Sequence, residues 1–314
     1  MRNEKKMTTY RSIFTRSTGV ERAENFRDYF EFSRRHSGEL IEADKDLAAK
    51  RARLRAMQDV PVRSRRPLRD PDAFYRNYVS LRDPPEALDR KTLLLTCIYK
   101  FARHEWVGIT GAWDATPSLA NSKNLTDKIS RYHLAEEFCH VRLFHEMFRT
   151  MQLDRVEWVP LGPVMQRVYR VFPDLPGFLL DAPAFVTELM GAVFYRHLDR
   201  AFDDIFADEP EARERLHALL REIAIDEVAH VGQRRNFLGP AGILYARLLV
   251  VPLFRAFFRD IPESRSLFDV DQMIRDGLDF DYGLFAGDLV EQSWVPSYCR
   301  TRPSSGAAVS VAAR

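Results

Sequence analysis

The sequence predicts an all-α protein, and three observations support this. Glycine and proline contribute only 14 and 17 of 314 residues. Runs of β-branched residues are scarce, and apolar residues recur three and four positions apart over long stretches, which is the period of an amphipathic helix. With 46% hydrophobic and 29% charged residues, the chain has enough apolar material for a large core, which excludes a disordered or fibrous protein.

The N-terminal part, residues 1–87, predicts a helical extension followed by a connector. Residues 21–58 show the charged, periodic pattern of one or two helices, and residues 59–87 are rich in proline and arginine. The formal net charge of the whole chain is only +2, and its basic surplus lies in this N-terminal part. A solvated basic surface explains the surplus better than a polyanion site does, so we expect no nucleic-acid partner.

Residues 88–238 predict a bundle of four long helices. Asn121 or Ser122 is a candidate N-cap for the second helix and Asp181 for the third, while Gly239, followed by proline, is a stop signal after the fourth. Four prolines between the second and third helices predict a long crossover rather than a hairpin. The expected limits of the four helices are 88–114, 122–152, 181–207 and 209–236.

The C-terminal part predicts one or two further helices over residues 239–300, packed on the bundle, and a disordered tail over residues 301–314, where small residues dominate. The most apolar stretch of the chain, Ala241–Phe258, is interrupted by two arginines and a proline. We therefore expect a buried or groove-lining helix there and no transmembrane segment.

Cysteine usage and the N-terminus predict a cytoplasmic protein. The chain has three cysteines, none in a Cys-x-x-Cys spacing, which argues against a disulfide scaffold or a thiolate metal site and fits a reducing compartment. The charged N-terminus is not followed by an apolar run, so no signal peptide is expected.

Each of the four predicted bundle helices carries a glutamate on its apolar stripe. On the second and fourth helices this glutamate begins a Glu-x-x-His motif. Residues three apart lie side by side on one helix face, so each motif can offer a carboxylate and an imidazole to the same ion. The first and third helices each add one glutamate. The six predicted ligands are Glu105, Glu137, His140, Glu188, Glu227 and His230.

This set of side chains predicts a centre for two metal ions. A carboxylate among apolar residues is costly to bury unless it is paired or bound to metal. Four glutamates and two histidines nearly neutralise two divalent ions and leave coordination positions open. Carboxylate and imidazole ligands without thiolate favour iron or manganese over zinc. One glutamate from each of two helices and Glu-x-x-His from each of the other two is the ligand pattern of di-iron bundles.

A further Glu-x-x-His pair, Glu214 with His217, lies on the same predicted helix as Glu227. The helical period places Glu214 on nearly the opposite face from Glu227, among charged neighbours. We therefore interpret this further pair as solvated.

The ordered ligand set resembles the ferritin-like di-iron carboxylate oxygenase superfamily over residues 88–236. The resemblance implies a ferritin-like four-helix bundle with additional N- and C-terminal helices, two iron ions (Fe2+/Fe3+), O2 as co-substrate and an external electron donor, either a reductase or a chemical one. It also implies that Asp226 orients His140 and that Glu136 orients His230, as acids next to the motif glutamates do in that superfamily. The alternative for each acid is a surface charge.

His133 lies one turn before Glu137 and offers an additional ligand. The p-aminobenzoate N-oxygenases, a branch of the same superfamily, resemble this chain in length and in having an additional metal-bound histidine one turn before a motif glutamate. In that branch the histidine lies on the helix of the second motif, where this chain has Ile223. Three roles for His133 stay open: a metal ligand, a hydrogen-bonding neighbour of the ligands, or a core histidine with its own partners.

Small and apolar residues next to the ligands predict a substrate pocket, although close helix packing explains the small residues nearly as well. The candidate pocket residues are Gly108, Ala112, Phe144, Phe185, Ala192 and Tyr195.

From this resemblance we expect an O2-activating non-heme di-iron oxygenase or oxidase. It would N- or C-oxygenate an organic small molecule in biosynthetic tailoring, and a homodimer is compatible with the sequence. One alternative is an acyl-chain desaturase or oxidase acting on a lipid or on a carrier-protein-bound substrate, with the carrier contacting Arg63, Arg65, Arg66 and Arg69. Another is a non-enzymic or peroxide-detoxifying di-metal protein.

Overall fold

A computed structural model describes residues 10–301 of the chain, and over this range the protein is mostly helical, which confirms the predicted dominance of helix. The one sheet among these residues has two short antiparallel strands, Leu40–Ile41 (β1) and Asp46–Leu47 (β2). The predicted charged helices of the N-terminal part are two, and a third follows in the connector. They are Gly19–Ser37 (α1), Ala48–Asp59 (α2) and Pro71–Asn77 (α3).

Local sequence explains where α1 begins. The Thr18 hydroxyl accepts a hydrogen bond from the backbone N–H of Glu21, and the Glu21 carboxylate accepts one from the backbone N–H of Thr18. This reciprocal capping box satisfies two N–H groups at the helix start. Further along the chain, α1 and α2 pack against each other.

The four long helices occur close to their predicted limits. The predicted N-cap of the second helix is wrong, because Asn124 takes that place and accepts from the N–H of Thr126, while Asn121 ends a preceding 3-10 turn. The connection between the second and third helices contains an additional short helix. In chain order these five helices are Arg90–Ala115 (α4), Leu125–Thr150 (α5), Pro163–Val171 (α6), Gly177–Ile205 (α7) and Pro210–Arg235 (α8).

The third long helix begins earlier than predicted. Asp181 lies inside α7 rather than at its N-cap, since the helix already begins after Pro176. The carbonyl oxygen of Pro176 accepts hydrogen bonds from the N–H groups of Leu179 and Leu180. A proline before the helix can serve this purpose because the accepting group is its carbonyl.

The C-terminal part contains more helix than predicted. Gly239 does not mark only a stop, because it is the N-cap of the next helix, whose first residue is proline. Proline suits that first position because its missing N–H would have no helical partner there. The helices are Pro240–Asp260 (α9), Ser264–Leu267 (α10), Val270–Leu278 (α11) and Gly287–Gln292 (α12).

The largest helix–helix contacts join α4 to α5, α5 to α8, α8 to α7 and α7 to α9. Helices α4 and α7 are in contact through the stacked rings of Phe101 and Phe194, whose centroids are 4.2 Å apart. The main apolar core extends from Ile13 to Cys299, so the N- and C-terminal segments add side chains to the core of the long helices. The domain limits stay predictions, and the predicted tail, residues 301–314, lies outside the described residues except for Thr301.

Two helices, α7 and α9, are long and apolar enough to cross a membrane, judged by length and composition alone. The most apolar window of α7 is 56% buried inside the protein, whereas that of α9 is only 28% buried. The helix continues past Pro252, so the apolar stretch forms one helix despite the proline.

Candidate metal centre

The six residues predicted as ligands come together between α4, α5, α7 and α8, and His133 of α5 lies with them. All of them except Glu227 form two groups in which one ligand atom of each residue lies within 4.8 Å of every other. Glu137 belongs to both groups. The first group is Glu105, Glu137 and His140, and the second is His133, Glu137, Glu188 and His230.

Two glutamates lie between the motif histidines. Glu137 places Oε2 3.3 Å from Nδ1 of His140 and Oε1 3.0 Å from Nδ1 of His230. The Oε1 atom of Glu227 is 3.2 Å from Nδ1 of His140 and 3.9 Å from Nδ1 of His230. Gly191 of α7 leaves room for Glu227, because a Cβ atom at residue 191 would lie 2.9 Å from Oε2 of that glutamate. Both carboxylates therefore lie between the two motif histidines.

The outer nitrogen of each motif histidine meets an acid. The Nε2 atom of His140 lies 2.8 Å from Oδ2 of Asp226, and Nε2 of His230 lies 2.9 Å from Oε2 of Glu136. These are the contacts that the family resemblance implies. An acid at Nε2 favours a proton on that nitrogen and turns Nδ1 towards the glutamates, where it offers a lone pair once its own proton is lost. This arrangement is typical of metal-binding histidines.

Several buried atoms of this cluster have no hydrogen-bond partner among the described residues. Burying a polar atom without a partner is destabilising, so such atoms are rare in folded proteins unless something else satisfies them. Cations between the carboxylates and the imidazoles would satisfy four of them. These four are Nδ1 of His140, Nδ1 of His230, Oε2 of Glu105 and Oε1 of Glu227, and two others are Nδ1 of His133 and Oδ1 of Asp226.

Asp226 is held by a buried lysine that sequence reasoning missed. Lys50 of α2 forms an ion pair with Oδ2 of Asp226, and Nε2 of His36 lies 3.6 Å from Oδ1. Burial alone would raise the pKa of Asp226, but Lys50 and His140 outweigh it and lower this pKa far below its usual value. Asp226 therefore stays ionised beside His140. The charged pattern of α2 predicts solvated side chains, and nothing local reveals that Lys50 points inward.

Glu136 is held differently, by three hydroxyl groups from α1. The Ser33 and Ser37 hydroxyls donate to Oε1 of Glu136 over 2.6 and 2.5 Å, and the Tyr29 hydroxyl lies 3.3 Å from Oε2. These three residues are spaced four apart, so they share one face of α1. That hydroxyl stripe was a signal in the sequence that a buried acid faces this helix.

Crowding of acids shifts the pKa values within the cluster. Burial and the neighbouring Glu137 raise the pKa of Glu227 to about 8 and that of Glu105 well above its usual range. Burial also opposes the charged form of Glu137, but His140 and His230 lower its pKa well below the usual value. Burial would lower the pKa of both histidines, yet the surrounding carboxylates raise it well above normal. Without metal, bound protons thus offset the negative charge of the glutamates, which cations would otherwise neutralise.

His133 faces the second group. Its Nε2 atom lies 3.2 Å from Oε1 of Glu188 and 3.5 Å from Oε1 of Glu137, and its ring stacks on His230 with centroids 3.9 Å apart. Burial and the neighbouring His230 lower the pKa of His133, which favours the neutral imidazole that binds metal.

The candidate pocket residues divide into two sets. Gly108 packs against α6, because a Cβ atom at that position would lie 3.4 Å from the Tyr169 ring. Close helix packing is therefore the physical reason for that small residue, and Ala112 is only partly buried. The apolar residues on the inner faces of α5 and α7 are buried, and the Tyr195 hydroxyl donates to Oε1 of Glu105. The buried set is Phe144, Phe185, Ala192 and Tyr195.

A groove of about 490 Å3 reaches Tyr195 from the side of α7 and α8. Apolar side chains such as Leu220 and Phe285 line it together with Arg196 and Arg221. Tyr195 is thus common to the groove and to the cluster.

The findings on this chain establish a helical protein with buried carboxylate and histidine groups that could hold metal. Comparison with protein-family models, with curated proteins and with solved structures finds no match for this chain.

Proposed function

We propose that the cluster holds two iron ions and that the protein is an O2-activating di-iron oxygenase or oxidase of ferritin-like topology. One observation carries this proposal. Nδ1 of His140 and Nδ1 of His230 are buried, unpaired among the described residues, and turned towards carboxylates that they approach to 3.0–3.3 Å. Hard carboxylate oxygens with imidazole nitrogens and no thiolate suit iron or manganese.

The ligand groups support two ions rather than one. Glu105 and His140 would hold one ion, Glu188 and His230 the other, and His133 would complete the second group as a seventh ligand. Glu137 and Glu227 would contribute carboxylate oxygen to the site, since each places an oxygen atom near each motif histidine. The two ions would therefore differ, with the second richer in nitrogen ligands.

The bound iron pair would supply the electrons that activate O2. The residues of this chain would orient the ligands and shield the site. The Nε2 protons of His140 and His230 stay with their acid partners, and burial excludes bulk water. Glu188 has the more open surroundings, with its side chain 14% exposed and Nε of Arg234 3.8 Å from its Oε1. Glu188 would therefore hold the metal with a side chain that is less enclosed than those of Glu137 and Glu227.

We propose a small organic molecule as substrate, oxidised at an N–H or C–H group in biosynthetic tailoring, with electrons from an external reductase or chemical donor. The groove at Tyr195 supports access from the α7–α8 side. The Tyr195 hydroxyl, which donates to Glu105, would hold that ligand in position at the inner side of the groove.

Ion pairs within this chain weaken the alternative in which a carrier protein binds the basic segment. Arg63, Arg65 and Arg66 form ion pairs with acids of this same chain, at N–O distances of 3.0, 2.7 and 3.1 Å. Their charge is partly neutralised before any partner approaches. We therefore favour a free small molecule over a carrier-bound acyl chain.

Anaerobic loading with Fe(II) followed by exposure to 18O2 tests the proposal. Before any organic substrate is added, we expect rapid O2 uptake by the wild type and by a variant with Glu214→Ala and His217→Ala, two residues that line the groove but lie outside the metal cluster. We expect none by Glu137→Ala or His230→Ala. Incubation with a metabolite extract should then yield an organic product that carries 18O. Stoichiometric zinc without O2 uptake would refute the proposal, and peroxide consumption without organic product would favour the detoxifying alternative.

A further inference from the structure

Exposed apolar side chains are concentrated on one part of the molecule. Eleven large hydrophobic residues are exposed among the described residues, and nine of them lie on α6, at the start of α7 and on α9. The most exposed of these nine are Val164 (76%), Phe178 (75%), Leu248 (68%) and Leu244 (63%). We call the nine residues on these three helices the apolar face. A patch of this kind on a soluble surface marks an interaction site.

The three helix segments lie at the same end of the protein. Phe194 of α7 packs on Phe258 of α9, and one ring, that of Phe14, contacts both Phe185 of α7 and Arg247 of α9. The two helices therefore run in the same direction and their first turns are neighbours. A single 3-10 turn joins the end of α6 to the start of α7.

The orientation of α6 is unusual for a helix of a globular protein. Val164, Val168 and Val171 share one side of this helix and are all exposed. The inward position is taken by Tyr169, whose hydroxyl lies 3.0 Å from Nδ1 of His104 on α4. An amphipathic helix normally buries its apolar stripe, so the outward stripe of α6 needs an apolar environment beyond the protein.

Charge decides between the environments that could cover this face. Over α6, the turn that follows it, the start of α7 and α9 there are five arginines, all exposed, against three acids: Asp174, the half-buried Asp181, and Asp260, which pairs with His104. In a two-fold contact between copies of this chain, the same positive surface would face itself, which is unfavourable. An anionic lipid surface instead accepts arginines beside apolar side chains. The arginines are Arg167, Arg170, Arg247, Arg255 and Arg259, of which Arg255 also lies 3.5 Å from Asp271.

We propose that the apolar face binds the surface of an anionic lipid bilayer. The protein lies on the membrane and does not cross it, because the opposite side of α9, including Ala246, Val250 and Phe254, is buried in the protein core. The valines of α6 and the leucines of α9 enter the boundary between headgroups and acyl chains, and the arginines contact lipid phosphates. This inference goes beyond the proposed function and does not depend on a bound metal.

Sedimentation of the full chain with vesicles tests the proposal. We expect the wild type to bind phosphatidylcholine vesicles that contain phosphatidylglycerol, and to bind pure phosphatidylcholine much more weakly. The variant Leu244→Ser with Leu248→Ser should lose at least tenfold in affinity. The matched control Val20→Ser with Val60→Ser, which removes equally exposed side chains elsewhere, should bind like the wild type. Arg167→Gln with Arg170→Gln should lose about fivefold per arginine on anionic vesicles only.

Three results would overturn the proposal. The first is a wild type that fails to bind anionic vesicles, and the second is an equal loss in the control variant. The third is a dimer in light scattering that the leucine variant dissociates while vesicle binding stays unchanged, because the face would then cover a second copy. All substituted side chains are exposed, so the thermal unfolding of each variant should match that of the wild type.

Discussion

Helix α8 carries two Glu-x-x-His pairs with the same spacing and different surroundings. His217 of the pair Glu214/His217 has acids at both ring nitrogens, with Nδ1 2.7 Å from Asp199 and Nε2 3.2 Å from Asp203. His230 of the second pair is fully buried and uses Nε2 for one acid, which leaves Nδ1 facing glutamates without a hydrogen-bond partner among the described residues. The Glu-x-x-His spacing alone therefore does not identify a metal ligand. Burial of the histidine, with an acid at only one of its ring nitrogens, distinguishes His230 from His217.

The largest effect should come from the buried cluster to which Glu227 and His230 belong. Glu137→Ala and His230→Ala each remove a ligand of the cluster, so we expect iron content to fall from about two atoms per chain to less than one. The double variant Glu214→Ala with His217→Ala should keep full occupancy. Metal analysis after anaerobic loading and desalting measures both. Equal losses in the two sets would mean that burial does not distinguish the pairs.

Much of this difference could be predicted from the sequence. Glu137 and His230 interrupt apolar stripes, and the helical period that reveals this is a local property of the chain. Lys50 could not be predicted, because its partner Asp226 is distant in sequence and only the folded chain brings them together. The contact of Gly108 with Tyr169 could not be predicted for the same reason, since the position of α6 over α4 is a tertiary property.

The next largest effect should come from the two acids at the outer nitrogens of the motif histidines, Asp226 and Glu136. Asp226→Asn and Glu136→Gln should each weaken metal binding by about 10- to 100-fold. Asp226→Asn should also lower the free energy of unfolding by about 3–5 kcal/mol, because it leaves the charge of Lys50 buried without its partner. Glu136 has hydroxyl partners, so its loss of stability should be smaller. Urea unfolding and metal titration measure the two properties separately.

A second substitution separates orientation from stability at Asp226. Adding Lys50→Met to Asp226→Asn removes the unpaired charge, so stability should recover while metal affinity stays low. Recovery of metal affinity as well would show that Asp226 does not act by orienting His140.

The pH dependence of metal binding offers a smaller effect. The pKa of Glu227 is raised to about 8 in the metal-free protein, and a bound cation must displace that proton. Apparent affinity should therefore fall as the pH is lowered below about 8, by up to about tenfold per pH unit for each proton released. Titrations with Fe(II) or Co(II) between about pH 6 and pH 9 measure this. A flat profile would mean that the ligands are already deprotonated.

The smallest effect should come from the pair Glu214/His217. Hydrogen bonding to Asp199 raises the pKa of His217, although partial burial opposes this. A raised pKa in the folded protein stabilises it below the unfolded pKa of about 6.5, and this contribution disappears as the pH rises through the folded value. His217→Gln should therefore cost less than about 1 kcal/mol near pH 6 and nothing near pH 9. A loss of stability independent of pH would instead indicate packing.

The most direct measurement of the central claim is a crystal structure of the iron-loaded protein with anomalous scattering at the iron edge. We predict two iron peaks in each chain. One should lie among Glu105, Glu137 and His140, the other among Glu188, His230 and His133, with none at His217. A single peak, a peak at His217, or no iron at all would contradict this account.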